Sequence, residues 1–264
     1  MMKRIQFGKV HAHYLTMAEA VEAVVMRAKD KKGGFVVTPN VDHIVMAEKN
    51  EALQRAYADA ALSLADGKPL IWMSRLAGFP LPEKVSGSDL IRPLLRRAAE
   101  EGLSVYFLGS APGVGATAAA VLCQEIPALK VAGIDAPPPG FEKDPEQEKS
   151  AREKMLGSAP DIVLFALGAP KQELLMHRWQ TGGSGPMMLG IGAGLDFIAG
   201  KVKRSPPWMS QAGLEWLYRL SQDPKRLARR YLIQDPQVIP VFYRMMKTPK
   251  PQRISGFDQA TGRG

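Results

Sequence analysis

The chain has 264 residues, 35 Lys and Arg against 26 Asp and Glu, and one cysteine, Cys123, so no intrachain disulfide can form and a reducing compartment fits. The four histidines (His11, His13, His43, His177) show no metal-ligand spacing, and no stretch approaches the roughly 18 uninterrupted apolar residues of a membrane span. The net charge of +9 lies wholly in the last quarter: residues 201–264 hold 13 Lys and Arg and 4 Asp and Glu, whereas residues 1–200 hold 22 of each sign. That pattern describes a neutral body with a basic tail suited to an anionic partner, whether a phosphate-bearing substrate, an acidic bilayer or a nucleic acid.

Residues 1–15 carry Lys3, Arg4 and Lys9 with no apolar run behind them, so no signal peptide or targeting helix is expected. Thr16 and Glu19 have capping-box spacing and open a helix reaching toward Ala28. From there to Trp179 short apolar runs alternate with helical patterns, which is how a mostly parallel sheet with crossover helices reads. The strands are expected at residues 35–37, 62–64, 105–108, 130–132, 162–165 and 187–189, and Asp135 to Gly140, rich in proline, as a rigid loop. After Lys201 the pattern changes to three helices and no strand. Asp223-Pro224 and Asp235-Pro236 each read as an N-cap followed by proline, which divides the tail into separate short helices. In the middle helix Lys225, Arg226, Arg229 and Arg230 share one arc and Leu227, Ala228, Tyr231 and Leu232 the opposite one, so it is either a basic docking face or an ordinary solvated face. Beyond Thr248 the composition is that of a loose end. The expected organisation is a catalytic body over 1–200, a helical appendage over 201–248 and a flexible tail over 249–264.

Ligands of an open parallel sheet bind beyond the carboxyl ends of its strands, so four loops matter. They are Thr38-Pro39-Asn40 with Asp42-His43, Ala65-Asp66-Gly67-Lys68, Gly168-Ala169-Pro170-Lys171-Gln172-Glu173, and Gly190-Ile191-Gly192-Ala193-Gly194-Leu195-Asp196. Asp66 at a strand end reads as a general base for a bound hydroxyl, or as a helix N-cap. Asn40 and Gln172 could orient a sugar or base edge, or satisfy turn backbone, and Asp196 could hold a nucleoside or cap a turn. A competing motif, Gly113-Val114-Gly115-Ala116-Thr117-Ala118 with Asp135 about 20 residues on, matches the dinucleotide fingerprint of an NAD(P)-dependent oxidoreductase. Against it, Gly109-Ser110-Ala111-Pro112 separates the strand end from the first glycine, where the fingerprint needs that glycine at the turn itself. A nucleic-acid binder using the basic tail is the other alternative.

The ordered set of Thr38-Pro39-Asn40, Asp66-Gly67, Val85-Ser86-Gly87-Ser88-Asp89-Leu90, Gly168 to Glu173, Phe197-Ile198-Ala199-Gly200, Arg204-Ser205-Pro206 and Gly213-Leu214-Glu215-Trp216-Leu217-Tyr218-Arg219-Leu220 resembles the WecG/TagA/CpsF family of bacterial glycosyltransferases, over residues 5–235. The resemblance implies a Rossmann-like α/β body with a basic helical appendage. It implies an inverting, metal-independent transferase without a cofactor. The transferred group would be a hexose such as N-acetylmannosamine, moved from a UDP donor to a polyprenyl-diphosphate-linked sugar at the cytoplasmic membrane face, with an anionic bilayer and another copy of the chain as further partners. By the same resemblance Asp66 is the general base, with Thr38 and Asn40 near the reacting sugars and Gln172 at the site. Asp196 contacts uracil, Gly109, Gly192 and Gly194 allow close approach to the donor, and Arg204, Arg219 and Arg226 serve the diphosphates. Lys84, in Glu83-Lys84-Val85-Ser86-Gly87, stands where the family usually has arginine and keeps the charge without the bidentate fork. Lys68-Pro69 is a second departure and points to a different donor sugar or acceptor.

Overall fold

The computed structural model describes residues 2–249 and 253–255, without the side chains at 207, 211 and 226. Its centre is a six-stranded parallel sheet, β3 (Lys32–Val37), β4 (Leu62–Ser63), β5 (Ser104–Gly109), β6 (Lys130–Asp135), β7 (Ile162–Ala166) and β8 (Gly185–Gly190), in the order β4-β3-β8-β7-β5-β6. All six expected strands are present. Alternate residues point to opposite faces, and both faces are buried except along the edge strand β6. Val36, Leu62, Val105, Phe107, Leu164 and Leu189 join one core with helices α1 (Met17–Lys29), α5 (Gly87–Glu100), α6 (Val114–Glu125) and α9 (Gly194–Ile198). Phe35, Val37, Tyr106, Val163, Phe165 and Met188 join the other with α2 (Val41–Ala47), α3 (Glu51–Asp59), α4 (Lys68–Leu76), α7 (Pro145–Gly157) and α8 (Lys171–Trp179). Thr16 caps α1 with the full capping box to Glu19.

The unexpected part of the body is a small antiparallel sheet in the order β2-β1-β9, made by β1 (Arg4–Phe7), β2 (Val10–His13) and β9 (Ile254–Ser255). It is stitched to the edge of the large sheet at Ser63, whose N–H donates to His13 Nδ1 at 2.9 Å and whose hydroxyl donates to the His11 carbonyl. The expectation of no strand after Lys201 is therefore corrected. Ile254 and Ser255 pair with Ile5 and Arg4, which returns part of the expected loose end to the body.

The tail holds α10 (Pro207–Gln211), α11 (Glu215–Gln222), α12 (Pro224–Arg229) and α13 (Val238–Lys247). Asp223-Pro224 does separate two helices. Asp235-Pro236 does not: α12 runs through a π-helical turn (Arg230–Gln234) and a 3-10 turn (Asp235–Gln237) into α13. Proline lacks the amide hydrogen and crowds the preceding turn, and the widened π turn absorbs it as a kink instead of a break. The same turn spoils the expected amphipathic arc, because Arg230 swings inward while Leu232 and Ile233 are each 62% exposed. Val241 and Met245 of α13 are buried in the second core, so the tail's last helix belongs to the body's packing. No helix among the described residues is long and apolar enough to cross a membrane.

Candidate active site

The carboxyl ends of the parallel strands open beside a cleft of about 400 Å³ between the body and the tail. From the body come Asn40, Asp42, Asp66, Lys68 and Lys84, and from the tail Glu215, Trp216, Arg219, Arg230, Tyr231 and Asp235. The tail therefore forms one wall. Asp66 follows β4 and is positioned by its N–H donating to the Pro39 carbonyl at 2.9 Å. It is not an N-cap: Gly67, at φ 97°, takes that position for α4 with no side-chain cap. Burial pushes the Asp66 carboxyl up to about 6, a rise that Lys84 opposes, Glu215 and Asp89 reinforce and Arg219 again opposes. A carboxylate with its pKa near neutrality can take a proton and still be ionised in a useful fraction of molecules.

Asn40 does two things. Its side chain caps α2 by accepting from the His43 N–H at 3.2 Å, and it also lines the cleft. Thr38 is 5% exposed, with its hydroxyl lying where a Cβ on Gly87 would approach to 3.3 Å. Gln172 is buried, and its Oε1 accepts from the Gly168 N–H at 3.2 Å and the Gly192 N–H at 3.1 Å. It ties two ligand-facing loops together and does not line the cleft. Its Nε2 donates to Glu173 at 2.9 Å, and burial pushes that carboxyl up to about 7.

The glycines divide by neighbourhood. Gly192, at φ 52°, has open space where a side chain would sit, as a ligand-facing turn requires. Gly109 and Gly194 instead permit packing, since a Cβ would meet the Ala166 carbonyl at 2.6 Å and Ile91 at 2.4 Å. Asp196, at the start of α9, accepts from the Ser110 hydroxyl at 3.5 Å, which places it beside the end of β5. Next to it Phe197, which carried no assigned role in the sequence, stacks under two guanidinium groups, Arg204 at 5.1 Å and Arg219 at 5.4 Å from its ring centre. The Arg226 side chain lies outside the described residues.

Lys84 is held by Asp89 at 2.7 Å. Burial opposes its charge, but the bond to Asp89 outweighs that and keeps its pKa above the ordinary lysine value. At the far end of the cleft Arg230 pairs with Asp42 at 3.2 Å, and Asp235 stands close by. Burial pushes the Asp235 carboxyl up to about 6 against the pull of Arg230. The signals for these residues were indirect: Ser86-x-x-Asp89 has helix-start spacing, while Arg230 was counted on an exposed arc that the π turn rotates inward. Of the glycines of the dinucleotide-like motif, only Gly115 is required by packing. Gly113 is the N-cap of α6, and a Cβ on Gly115 would strike Ile134 at 2.7 Å.

Residues 5–253 match the family model described as glycosyl transferase, WecG/TagA/CpsF family. The chain is also similar to the N-acetylglucosaminyldiphosphoundecaprenol N-acetyl-beta-D-mannosaminyltransferase of Bacillus spizizenii, with 32% identity over 198 residues that cover 75% of each protein.

Proposed function

The chain belongs to the WecG/TagA/CpsF family and is a glycosyltransferase, and from that premise we propose that it moves N-acetylmannosamine or a related hexose, with inversion, from a UDP donor to a polyprenyl-diphosphate-linked sugar. The observation that carries this reading is Asp66: a carboxyl raised to about 6, lining a cleft that also holds Lys84 and Arg219. In the reaction Asp66 takes the proton of the acceptor hydroxyl as that oxygen bonds to the anomeric carbon on the face opposite the leaving group. The bond from the anomeric carbon to the diphosphate oxygen breaks, and UDP departs with the electron pair. In this reading Lys84, Arg204 and Arg219 offset the charge that develops on the diphosphate. The proton held by Asp66 passes to water before the next turnover. Asp196, beside the end of β5, suits the uracil, and the backbone around Gly192 suits close approach of the donor.

The mixed apolar and basic tail explains how such an enzyme meets a lipid-anchored acceptor. Trp208, Leu217, Leu232, Ile233, Ile239 and Tyr243 are exposed on the same stretch that carries the surplus Lys and Arg, the composition of a peripheral membrane surface. Calorimetric titration with UDP, with NAD and NADP as controls, tests the donor class. Micromolar binding of UDP alone supports the reading, and binding of NAD or NADP without UDP overturns it. Transfer from UDP-N-acetylmannosamine to lipid-linked N-acetylglucosamine diphosphate then tests the reaction.

A further inference from the structure

Asp89 lies in the first turn of α5 and does not line the cleft, yet three groups converge on its carboxylate. Lys84 Nζ reaches Oδ2 at 2.7 Å, the Ser86 hydroxyl donates to Oδ2 at 2.6 Å, and Arg204 Nη1 reaches Oδ1 at 2.9 Å. Arg204 is held a second time, donating through Nη2 to the Ser88 hydroxyl at 2.7 Å. We propose that Asp89 is a positioning residue for the transfer reaction, fixing Lys84 and Arg204 so that their charges face the donor diphosphate. This rests on the transferase reading above.

The argument starts from the side chains. Lysine carries a compact charge on a flexible four-carbon stem, and unlike arginine it has no planar fork to orient itself. A lysine here needs an external anchor to stand in one place. Asp89 supplies it, and Asp89 is itself anchored: Ser86 caps α5, accepts from the Asp89 N–H at 3.2 Å and donates back to its carboxylate. An acid in a first helical turn is also favoured by the helix dipole. Two cations on one carboxylate leave one positive charge in excess, which suits an incoming phosphate. Because Arg204 belongs to the segment after α9 and Lys84 to the body, one carboxylate sets the spacing between cations from both sides of the fold. The groups are only partly buried, with side chains 17% (Lys84), 28% (Asp89) and 47% (Arg204) exposed, so the pairs add little to folding stability. Their main effect is on where the cations stand.

The test uses full-length wild type, Asp89→Asn, Lys84→Met and the double variant. Reductive methylation of the purified proteins, read by peptide mass spectrometry, reports how tightly Lys84 is held: the rate at Lys84 is expected to rise about 10-fold in Asp89→Asn, because the ammonium loses its partner. With UDP-N-acetylmannosamine and lipid-linked acceptor, each single change is expected to lower kcat/KM by about 10- to 100-fold, and the double variant to lose less than the product of the two single losses, since Asp89 acts in part through Lys84 and in part through Arg204. Unchanged Lys84 labelling in Asp89→Asn, or losses that multiply in the double variant, would overturn the proposal. If wild type turns over no UDP-sugar, the transferase reading falls, while labelling still decides whether Asp89 holds Lys84. Asp89→Ser replaces Asp89→Asn, with the same outcomes, if the latter does not fold.

Discussion

Asp66 and Lys84 form a pair whose chemistry can be read from pH. A general base works only when ionised, so kcat/KM is expected to fall on the acid side with a midpoint near the raised value of about 6. On the proposed mechanism Asp66→Asn removes the base while keeping the shape, and is expected to lower kcat by about 10²- to 10⁴-fold with UDP affinity nearly intact. A large loss of UDP affinity would instead place Asp66 in the donor site. Lys84 favours the ionised form of Asp66, so Lys84→Met is expected to move the acid limb to higher pH. A limb that stays put would mean that the Lys84 charge does not reach the base. The sequence showed Asp66 at a strand end before glycine, where a base and a helix N-cap read alike, and Gly67 at the N-cap position removes the second reading. Gln172 was less legible. A glutamine that bonds a ligand and one that ties two backbone loops look the same until Gly168 and Gly192 are seen to converge on one oxygen.

The elements show where a linear reading succeeds. The central strands of the parallel sheet read as apolar runs because burial on both faces disfavours polar side chains, whereas the edge strand β6 is nowhere fully buried and the edge strand β4 carries Ser63. The β2 strand hides behind His11 and His13, which are buried against each other and Ser63, and β9 pairs with the edge that β1 offers. The π turn was illegible for a related reason: a helical arc assumes about 3.6 residues per turn, and one wider turn moves Arg230 from solvent to the cleft. That turn makes a latch. Arg230 on the tail meets Asp42 on α2, and the same stretch of body holds the tail twice more, through Lys49 on Gln237 at 3.1 Å and Glu48 on Arg244. Asp42→Asn is therefore expected to speed tryptic cleavage after Arg229 and Arg230 while the β-sheet signal in circular dichroism is unchanged. Cleavage at the wild-type rate would show that the apolar contacts of α13 hold the segment without the ion pair.

At the scale of the whole molecule, buried titratable groups pull stability in opposite directions as pH falls. His11 and His43 are lowered to about 3 and His13 to about 4, all chiefly by burial. An unfolded histidine takes a proton near 6.5, so stability is full above that pH and is lost as pH falls toward 3 to 4. Glu173, raised to about 7, works the other way: ionised and buried it destabilises above pH 7, and the penalty disappears as it protonates toward the unfolded value near 4.5. Asp66 and Asp235, both near 6, act like Glu173. The opposing windows overlap, so unfolding by urea is expected to show a shallow pH dependence from 7 to 5 and a steep loss below about 4, each group contributing up to about 1.4 kcal/mol per pH unit within its window. Glu173→Gln isolates one side: its gain over wild type is expected to be largest at pH 8 and to vanish below about 4.5. A gain independent of pH would mean that folding leaves the Glu173 carboxyl at its unfolded pKa. Charge also decides how the membrane reading is tested. Removing everything after residue 200 would strip Val241 and Met245 from the core and take β9 from β1, so loss of binding in such a truncation would not separate docking from unfolding. The surplus charge on exposed side chains can be changed in place. Lys225→Glu with Arg229→Glu is expected to abolish flotation with vesicles containing anionic lipid, at about 1 kcal/mol per removed cation near the surface, and to leave calorimetric UDP binding intact. Undiminished flotation would move the docking to the exposed Trp208, Leu232, Ile233 and Ile239, and vesicles of neutral lipid would then float the protein equally well.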